Sequence, residues 1–494
     1  MISNLINRFL AIFIVLVASA QPSFGADRAA ATTEPMNVVF ILVDDLGWSD
    51  LGYCGSDYYQ TPHVDRLAKQ SLLFRSAYAA APVCSPTRAA IMTGKSPARL
   101  DMTIWHEGAV QGGPNDRMLL PATAVANLPR EEITLAERFR QAGYITAHIG
   151  KWHLGTAAYY PETQGFDRNI GGTFWGAPST FFFPFSGKWN EKDPEIRYVP
   201  GLPFGKPGDY LPDRLTDAAI DVIQANRDRP FFLNLWYYTV HSPIQAPKPL
   251  VDRFRAQRAG QHHRDPTYAA MVNRMDQNVG RVLAKLDELN LSERTVVVFT
   301  SDNGGVDFDQ RSIVPTSNYP LRSGKGTLYE GGVRVPLLIR WPEASVGETN
   351  ELCTSQDLFY TFSDMLAGDV AEVAAANDTK TTEKVKSTQD GTSLVPLLND
   401  VTKKLPSRSL FWHFPHYYPR MTPASAVRDG DWKLIHFYED DHRELYNLNT
   451  DPGEQEDLSA VRPGQTARLF AQLNQWRKRV DAKAPTQNPK FPAR

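Results

Sequence analysis

The sequence predicts an α/β protein in which helices cover both faces of a large, mostly parallel sheet, with a smaller C-terminal α+β unit built on antiparallel strands. Two observations predict the large sheet. Short apolar runs rich in Val, Ile and Phe alternate with helical patterns, and several of these runs end in polar or ionisable residues. The length of 494 residues suits one large domain with a subsidiary one.

Apolar runs typical of buried parallel strands occur at four places. They are Asn37–Val43, Tyr144–Gly150, Phe231–Tyr238 and Thr295–Thr300. The polar residues that follow these runs are, in order, Asp44 and Asp45, Lys151 and His153, His241, and Asp302 and Asn303. Because ligands bind beyond the carboxyl ends of the strands in open α/β sheets, we expect these side chains to converge on one site.

Helical patterns connect the predicted strands, and a different pattern follows them. The helical patterns cover 57–74, 133–142 and 268–289, whereas the Gly-, Pro- and aromatic-rich stretch 155–210 predicts loops over the sheet edge. Two antiparallel strands are predicted at 432–438 and 444–448, and a final helix at 463–480. The predicted segments are a signal peptide at 1–26, a large domain at 27–368, a connector at 369–392 and a C-terminal subdomain at 393–494.

The N-terminus has the layout of a secretory signal peptide. Arg8 precedes the apolar run Phe9–Val17, which is too short for a comfortable membrane span, and an Ala-x-Ala pattern follows. This predicts export, to the periplasm or out of the cell, without a stable membrane span. Only three cysteines are present, which excludes a disulfide framework, and we expect no bridge between Cys54 and Cys353.

Composition excludes one class of partner. The 53 Lys and Arg residues nearly balance the 55 Asp and Glu residues, so the chain has no global positive field of the kind that collects nucleic acid. Any anion must therefore be bound by a local group of residues.

The run Cys84-Ser85-Pro86-Thr87-Arg88 is the most informative stretch of the chain. Pro86 suits the first turn of a helix, so we expect the Cys84 sulfur near the positive end of that helix. Arg88, one turn later, can reach back towards the same point. These surroundings indicate an activated nucleophile or the target of a modification, rather than an inert core cysteine.

Two sets of residues suit a metal ion and an anion. The hard oxygen ligands are Asp44, Asp45, Asp302 and Asn303. Adjacent carboxylates repel each other unless a cation lies between them, and ligation by oxygen alone favours Ca²⁺ or Mg²⁺ over zinc. The basic candidates are Arg88, Lys151, His153, His241 and Lys325. Together these groups predict a pocket for a tetrahedral oxyanion such as a sulfate or phosphate ester.

The chain resembles the type I sulfatases, which have an alkaline phosphatase-like fold, from about Asn37 to Leu458. The motifs that carry the resemblance occur in the family's order: Val43-Asp44-Asp45-Leu46-Gly47, the Cys84 run continuing to Thr93-Gly94, Gly150-Lys151-Trp152-His153-Leu154-Gly155, Ser301-Asp302-Asn303-Gly304-Gly305 and Lys325-Gly326-Thr327-Leu328-Tyr329-Glu330-Gly331-Gly332. Thr87 departs from the commoner serine of the family motif.

The resemblance implies a sulfatase in which Cys84 is oxidised to formylglycine by a maturation enzyme. It implies one calcium ion, with Asp44, Asp45, Asp302, Asn303 and the modified residue 84 as ligands. It implies that Arg88 steadies the aldehyde hydrate, that Lys151, His241 and Lys325 hold the sulfate, and that His153 pairs with the hydrate.

The mechanism implied by the resemblance has two halves. One hydroxyl of the hydrate attacks sulfur, with Asp302 as proton acceptor, and His241 or Lys325 protonates the departing alcohol. His153 then deprotonates the second hydroxyl, which expels sulfate and restores the aldehyde. A serine lacks this second hydroxyl and would stall at the sulfated enzyme.

Two other functions compete with this interpretation. One is a phosphate or phosphonate monoester hydrolase of the same superfamily, although such enzymes usually need more metal ligands than the sequence offers. The other is a non-catalytic protein that binds sulfated glycans, against which the full set of catalytic positions counts.

The substrate is expected by analogy to be a sulfated carbohydrate, although a sulfated small molecule fits the same motifs. The aromatic and basic run Trp412–Arg420, with Trp105 and His106, could stack on sugar rings or could pack the smaller unit on the larger one.

Overall fold

An eight-stranded mixed sheet forms the core of the computed structural model, which describes residues 35–190, 195–202, 204–310, 313–369 and 389–491. Numbered along the chain, the strands are β1 (Asn37–Val43), β2 (Leu72–Phe74), β3 (Ala77–Tyr78), β4 (Leu119–Leu120), β5 (Ile145–Gly150), β6 (Arg168–Ile170), β7 (Ser186–Lys188), β8 (Ile196–Tyr198), β9 (Phe231–Trp236), β10 (Thr295–Ser301), β11 (Leu337–Arg340), β12 (Gly347–Thr349), β13 (Cys353–Thr354), β14 (Ser409–Phe414), β15 (Ala424–Asp429), β16 (Trp432–Phe437), β17 (Arg443–Asn447) and β18 (Thr486–Gln487). The strand order in the eight-stranded sheet is β12-β2-β11-β10-β1-β9-β5-β6.

Helices cover both faces of this sheet. Among the described residues they are α1 (Pro62–Ala68), α2 (Cys84–Thr93), α3 (His106–Gln111), α4 (Leu135–Gln141), α5 (Leu211–Ala225), α6 (Lys248–Arg255), α7 (Pro266–Glu288), α8 (Glu330–Val333), α9 (Gln356–Asp369), α10 (Val395–Asn399) and α11 (Pro463–Arg479). Short 3₁₀ turns lie at Gly52–Cys54, Ala157–Tyr159, Pro161–Thr163 and Ser292–Arg294. No helix in this part of the chain is long and apolar enough to cross a membrane.

Strand β1 shows why both faces need cover. Val39, Ile41 and Val43 belong to one apolar cluster with α1, α5, α6 and α7. The alternate residues Val38, Phe40 and Leu42 belong to a second cluster with α2, α4 and α9. A continuous apolar run of this kind is buried on both faces because successive side chains point to opposite sides. The predicted fold class is therefore confirmed.

The parallel pairing aligns the carboxyl ends of four strands. β1 pairs in parallel with β10 and β9, and β9 pairs in parallel with β5. In this register Val43 lies opposite Ser301, and Gly150 lies opposite Trp236. The residues that follow the strands therefore emerge at one edge of the sheet.

The helix predicted over 57–74 is wrong at both ends, and its last residues belong to a strand. A helix does begin at Pro62, but it ends at Ala68, and Leu72–Phe74 form a strand. This strand pairs with β11 and β12, which lie far along the chain. The long-range pairing overrides a local pattern that also fits a helix.

The C-terminal unit is a four-stranded antiparallel sheet in the order β14-β15-β16-β17. Leu469, Leu473 and Trp476 of α11 pack on one face of this sheet. Trp412 and Ile435 on its other face share an apolar cluster with residues of the large domain. The predicted strands and final helix are thus present.

The structure does not test the predicted segment boundaries. Residues 35–494 cluster as one compact unit, so the division at 368 and 393 stays a prediction. The predicted signal peptide, 1–26, and most of the predicted connector, 370–388, lie outside the described residues. Cys54, Cys84 and Cys353 all lie among the described residues, and no disulfide joins any two of them.

A buried charge network joins the C-terminal sheet to the segment that carries Lys325. Lys433 Nζ lies 2.9 Å from Glu330 Oε1 and 2.9 Å from Glu454 Oε1, and all three side chains are fully buried. The backbone N–H of Glu330 also donates to Glu454 Oε2 at 2.7 Å. The start of α8, five residues after Lys325, is therefore tied to the C-terminal unit.

Lys433→Met is expected to lower the free energy of unfolding by about 3–5 kcal/mol, because two buried carboxylates lose the cation between them. Urea and thermal unfolding of the variant measure this effect. The matched control is Lys483→Met, which breaks the more exposed pair with Asp101 and should cost less than about 1 kcal/mol. Equal effects of the two substitutions would contradict the prediction.

Candidate active site

Three charged residues stand side by side at the carboxyl edge of the sheet. Asp44 follows β1, Lys151 follows β5 and Asp302 follows β10, and each of these side chains is fully buried. Burial of ionised groups is costly unless they are paired, so this row must be neutralised locally. The structure brings together the groups that the strand-end pattern predicts to converge.

An acidic cluster forms around the start of α2. One ligand atom from each of Asp44, Asp45, Cys84 and Asp302 lies within 4.8 Å of the other three. Cys84 Sγ is 3.4 Å from Asp44 Oδ1 and 4.0 Å from Asp45 Oδ1. Cys84 is the first residue of α2, so its sulfur lies at the helix's positive end.

Each carboxylate of the cluster has a cation of its own. Lys151 Nζ donates to Asp44 Oδ2 at 2.7 Å, and Lys325 Nζ donates to Asp45 Oδ2 at 2.8 Å. The third pair is Arg88 with Asp302, in which Nε and Nη2 both lie 2.8 Å from Oδ2. Arg88 Nη1 also donates to the carbonyl of Lys151 at 2.7 Å. These contacts hold three positive charges beside Cys84.

The pKa values of the three carboxyl groups in the cluster are shifted in different directions. Burial raises the pKa of Asp44 to about 8, against the opposing effect of Lys151. Burial also opposes ionisation of Asp45 and Asp302, but Lys325 lowers the pKa of Asp45 and Arg88 lowers the pKa of Asp302. A further cation at this point would favour the ionised form of all three groups.

Burial outweighs the neighbouring cations in its effect on the pKa of the Cys84 thiol. Burial raises its pKa above the ordinary thiol value, although Lys151 and Lys325 act in the opposite direction. The thiolate is the nucleophilic form of cysteine, so this environment disfavours direct attack by sulfur.

Asn303 provides the test of whether a metal ion fits. Its Nδ2 donates to Asp45 Oδ1 at 2.8 Å, while its Oδ1 is buried and has no hydrogen-bond partner among the described residues. A buried acceptor left unpaired is costly. An amide oxygen beside three carboxylates forms the hard-oxygen donor set that Ca²⁺ prefers. The residues present therefore fit a calcium ion.

The two predicted histidines have different partners. His241 Nε2 lies 3.6 Å from Asp45 Oδ2, and its Nδ1 bonds the carbonyl of Ser242 at 2.8 Å. His153 Nε2 instead lies 2.6 Å from Glu107 Oε2. Burial lowers the pKa of His241 to about 3 and that of His153 to about 4, so both rings are neutral near pH 7.

Glu107 is a site residue that the sequence reasoning missed. It lies in the first turn of α3, where a carboxylate is common and needs no functional explanation. Its partner His153 is 46 positions away, so neither spacing nor composition joins them.

A cavity of about 1230 Å³ opens onto this cluster. Cys84, His153, His241 and Lys325 contribute to its lining. Aromatic side chains line it as well, including Trp105, Phe174, Trp175, Trp189 and Tyr418. The site is therefore accessible to a substrate with an apolar or ring-shaped part.

Different residues of the aromatic run 412–420 pack the smaller unit on the large domain and line the cavity. Trp412 is buried and donates from Nε1 to the carbonyl of Ala79 at 2.9 Å, so it packs the smaller unit on the large domain. Tyr418 lines the cavity and meets Trp105 edge to face, with ring centroids 5.7 Å apart. Packing and cavity lining thus both occur in this short run.

The sequence profile described as Sulfatase matches residues 36–368, which include the acidic cluster and Lys325. The chain belongs to the sulfatase family. It is accordingly a sulfuric ester hydrolase by family. A second profile, described as N-sulphoglucosamine sulphohydrolase, C-terminal, matches residues 323–482.

Relatives of this sulfatase include enzymes from bacteria and mammals. A protein named sulfatase from Formosa agariphila is 32% identical, over 93% of this chain and 90% of that protein. Human arylsulfatase A is 32% identical over 90% of this chain and 87% of its own length. Human N-acetylgalactosamine-6-sulfatase is 30% identical over 87% and 83%.

Solved structures share the fold of this chain. The structure of Ps i-CgsB in complex with k-i-k-neocarrahexaose matches with a TM-score of 0.71 and 25% identity, over 93% of this chain and 95% of that one. The phosphonate monoester hydrolase of Agrobacterium radiobacter matches with a TM-score of 0.62 at 18% identity, over 90% and 96%, which shows a shared fold alone.

Proposed function

We propose that this sulfatase removes sulfate from a carbohydrate, with formylglycine made from Cys84 as its nucleophile. The observation that carries the proposal is the position of Cys84 at the start of α2, with its sulfur 3.4 Å from Asp44 and inside a cluster of carboxylates and cations. Burial raises the pKa of the thiol, which disfavours direct attack by sulfur. A maturation enzyme is then required as a partner.

Charge on the transferred sulfuryl group is stabilised by the cations of the site. Lys151 and Lys325 lie at the two aspartates nearest Cys84, and both keep their protons because these aspartates outweigh the effect of burial on their pKa values. A calcium ion held by Asp44, Asp45, Asp302 and Asn303 would supply further positive charge to the sulfuryl oxygens.

Proton transfers are assigned to neighbouring side chains. Asp302 accepts the proton of the attacking hydroxyl while Arg88 orients it. Of the two predicted acids, Lys325 keeps its proton and protonates the departing alcohol, whereas neutral His241 has its proton on Nδ1, bonded to Ser242. His153, neutral near pH 7, accepts the proton of the second hydroxyl when sulfate is released.

A carbohydrate substrate is supported by the aromatic lining of the cavity. Trp105 and Tyr418 line the same cavity as Lys325, and apolar faces of sugar rings pack well on aromatic side chains. The names of relatives such as N-acetylgalactosamine-6-sulfatase support the same class. The pattern of residues 1–26 supports action outside the cytoplasm.

The proposal is tested by comparing sulfate esters with phosphate esters. We expect enzyme matured in a host with an active maturation system to release sulfate from sulfated mono- or oligosaccharides, with kcat/KM for matched phosphate esters at least about 100-fold lower. Asp302→Ala should abolish sulfate release. Preference for the phosphate or phosphonate ester would favour the hydrolase alternative, whereas glycan binding without turnover would favour a binding protein.

A further inference from the structure

A carboxylate–histidine pair lines the cavity onto which Cys84 opens. Glu107 Oε2 is 2.6 Å from His153 Nε2, and the side chains are 15% and 3% exposed, respectively. The other carboxylate oxygen, Oε1, accepts from the backbone N–H of Gly176 at 2.9 Å. Both residues line the same cavity as Cys84.

The geometry determines which nitrogen of His153 carries the proton. Glu107 stays ionised despite its burial, because His153 and the Gly176 N–H lower its pKa. An ionised carboxylate only accepts hydrogen bonds, so the proton of neutral His153 must lie on Nε2. Nδ1 is then the basic nitrogen, and it is buried without a hydrogen-bond partner in the described part of the chain.

The orientation of the ring is also restricted by packing. A Cβ atom at Gly176 would lie 2.5 Å from His153 Cε1, so this glycine allows the backbone to approach the ring closely. The Ser85 hydroxyl, next to Cys84, donates to the carbonyl of His153 at 2.7 Å. His153 is thus held from two sides in addition to its bond with Glu107.

We propose that Glu107 is a positioning residue for the second half of the reaction, in which it holds His153 in the tautomer with Nδ1 free to accept a proton. The inference rests on the proposed function, and specifically on the role given there to His153. Glu107 does not touch the reacting atoms and acts through the imidazole.

The step that depends on this pair is the release of sulfate. The O–H proton of the free hydroxyl on the sulfated residue 84 moves to His153 Nδ1. The electrons of that O–H bond form the C=O bond of the aldehyde, while the C–O bond to the sulfate group breaks and its electron pair leaves on sulfate. Glu107 stabilises the imidazolium that results, as a carboxylate does in other carboxylate–histidine pairs.

The kinetic test uses Glu107→Gln, which removes the charge and keeps the shape. We expect kcat to fall about 10- to 100-fold, part of the 10²–10⁴-fold that a general base contributes. Because kcat/KM reports the first irreversible step, it should stay within about threefold of the wild-type value, so KM falls with kcat. Intact mass should reveal sulfated enzyme during turnover of the variant.

The matched control is Glu132→Gln, since Glu132 pairs with Lys95 outside the cavity lining. It should leave kcat and KM unchanged. A fall of kcat/KM in parallel with kcat for Glu107→Gln, without sulfated enzyme, would indicate a structural role and overturn the inference. An unchanged kcat would also overturn it.

A second measurement does not require activity. In protein labelled with ¹⁵N-histidine, long-range ¹H–¹⁵N spectra should show His153 at pH 7 as the Nε2–H tautomer, assigned by its loss in His153→Ala. In the Glu107→Gln variant, His153 should no longer be present as the Nε2–H tautomer alone. A wild-type ring protonated on Nδ1, or an unchanged tautomer in the variant, would overturn the inference. Wild-type enzyme that releases no sulfate from any ester would instead overturn the proposed function.

Discussion

Cys84→Ser is expected to lose steady-state turnover by about 10⁴-fold or more, the scale seen when a nucleophile is removed. Serine keeps one hydroxyl at the start of α2, among the same cations, so it can still attack sulfur once. It has no second hydroxyl to expel sulfate. The variant should therefore accumulate a sulfated residue 84, detected as a mass gain of one sulfuryl group on the corresponding peptide.

Two further substitutions make this prediction specific. Cys84→Ala should also lose turnover but gain no mass, because it offers no nucleophile. Cys54→Ser, at another free cysteine, should retain wild-type turnover. Wild-type turnover by Cys84→Ser would contradict the mechanism, and a wild-type peptide with an unmodified thiol in fully active enzyme would exclude formylglycine.

Removal of divalent ions with a chelator is expected to abolish activity and lower the thermal unfolding temperature, and added Ca²⁺ should reverse both effects. Asp44, Asp45 and Asp302 lie within the same 4.8 Å cluster, and a cation offsets their mutual repulsion. At a free calcium concentration about 100 times Kd, binding would add about 2.7 kcal/mol to the free energy of unfolding. Differential scanning calorimetry and sulfate release measure the two effects.

Asn303→Ala tests the same site without changing its charge. It removes the unpaired Oδ1, so it should weaken calcium binding and raise the calcium concentration needed for activity. The matched control is Asn169→Ala, whose side chain bonds Glu162 and Gly172 instead. If neither the chelator nor added calcium changes the unfolding temperature, a metal ion in this cluster is excluded.

Only part of the strand arrangement in the large sheet could be predicted from the sequence. The predicted strands at 37–43, 295–300 and 231–238 correspond to neighbouring strands of the core, because continuous apolar runs are a strong local signal. The short strand Leu72–Phe74 locally fits a helix as well, and its strand partners β11 and β12 lie more than two hundred residues away. Local patterns carry no information about such pairing.

The site shows the same division. Polar residues after strands, together with the Cys84 run, were enough to predict that Asp44, Lys151, Asp302 and Cys84 would meet, because parallel strands end at one edge of a sheet. The pairing of each cation with one carboxylate was not predictable. It depends on side-chain distances of 2.7–2.8 Å that only the assembled register and loops define.

By itself the sequence determined the fold class, the sulfatase motifs and the residue types of the site, since all three are written in short patterns of neighbouring residues. Only the tertiary structure decided that the Cys84 thiol has a raised pKa, that Asn303 leaves an acceptor free, and that Glu107 holds His153. These properties depend on burial and on contacts between distant segments. Burial sets the cost of every charge in the site, and no local pattern encodes it.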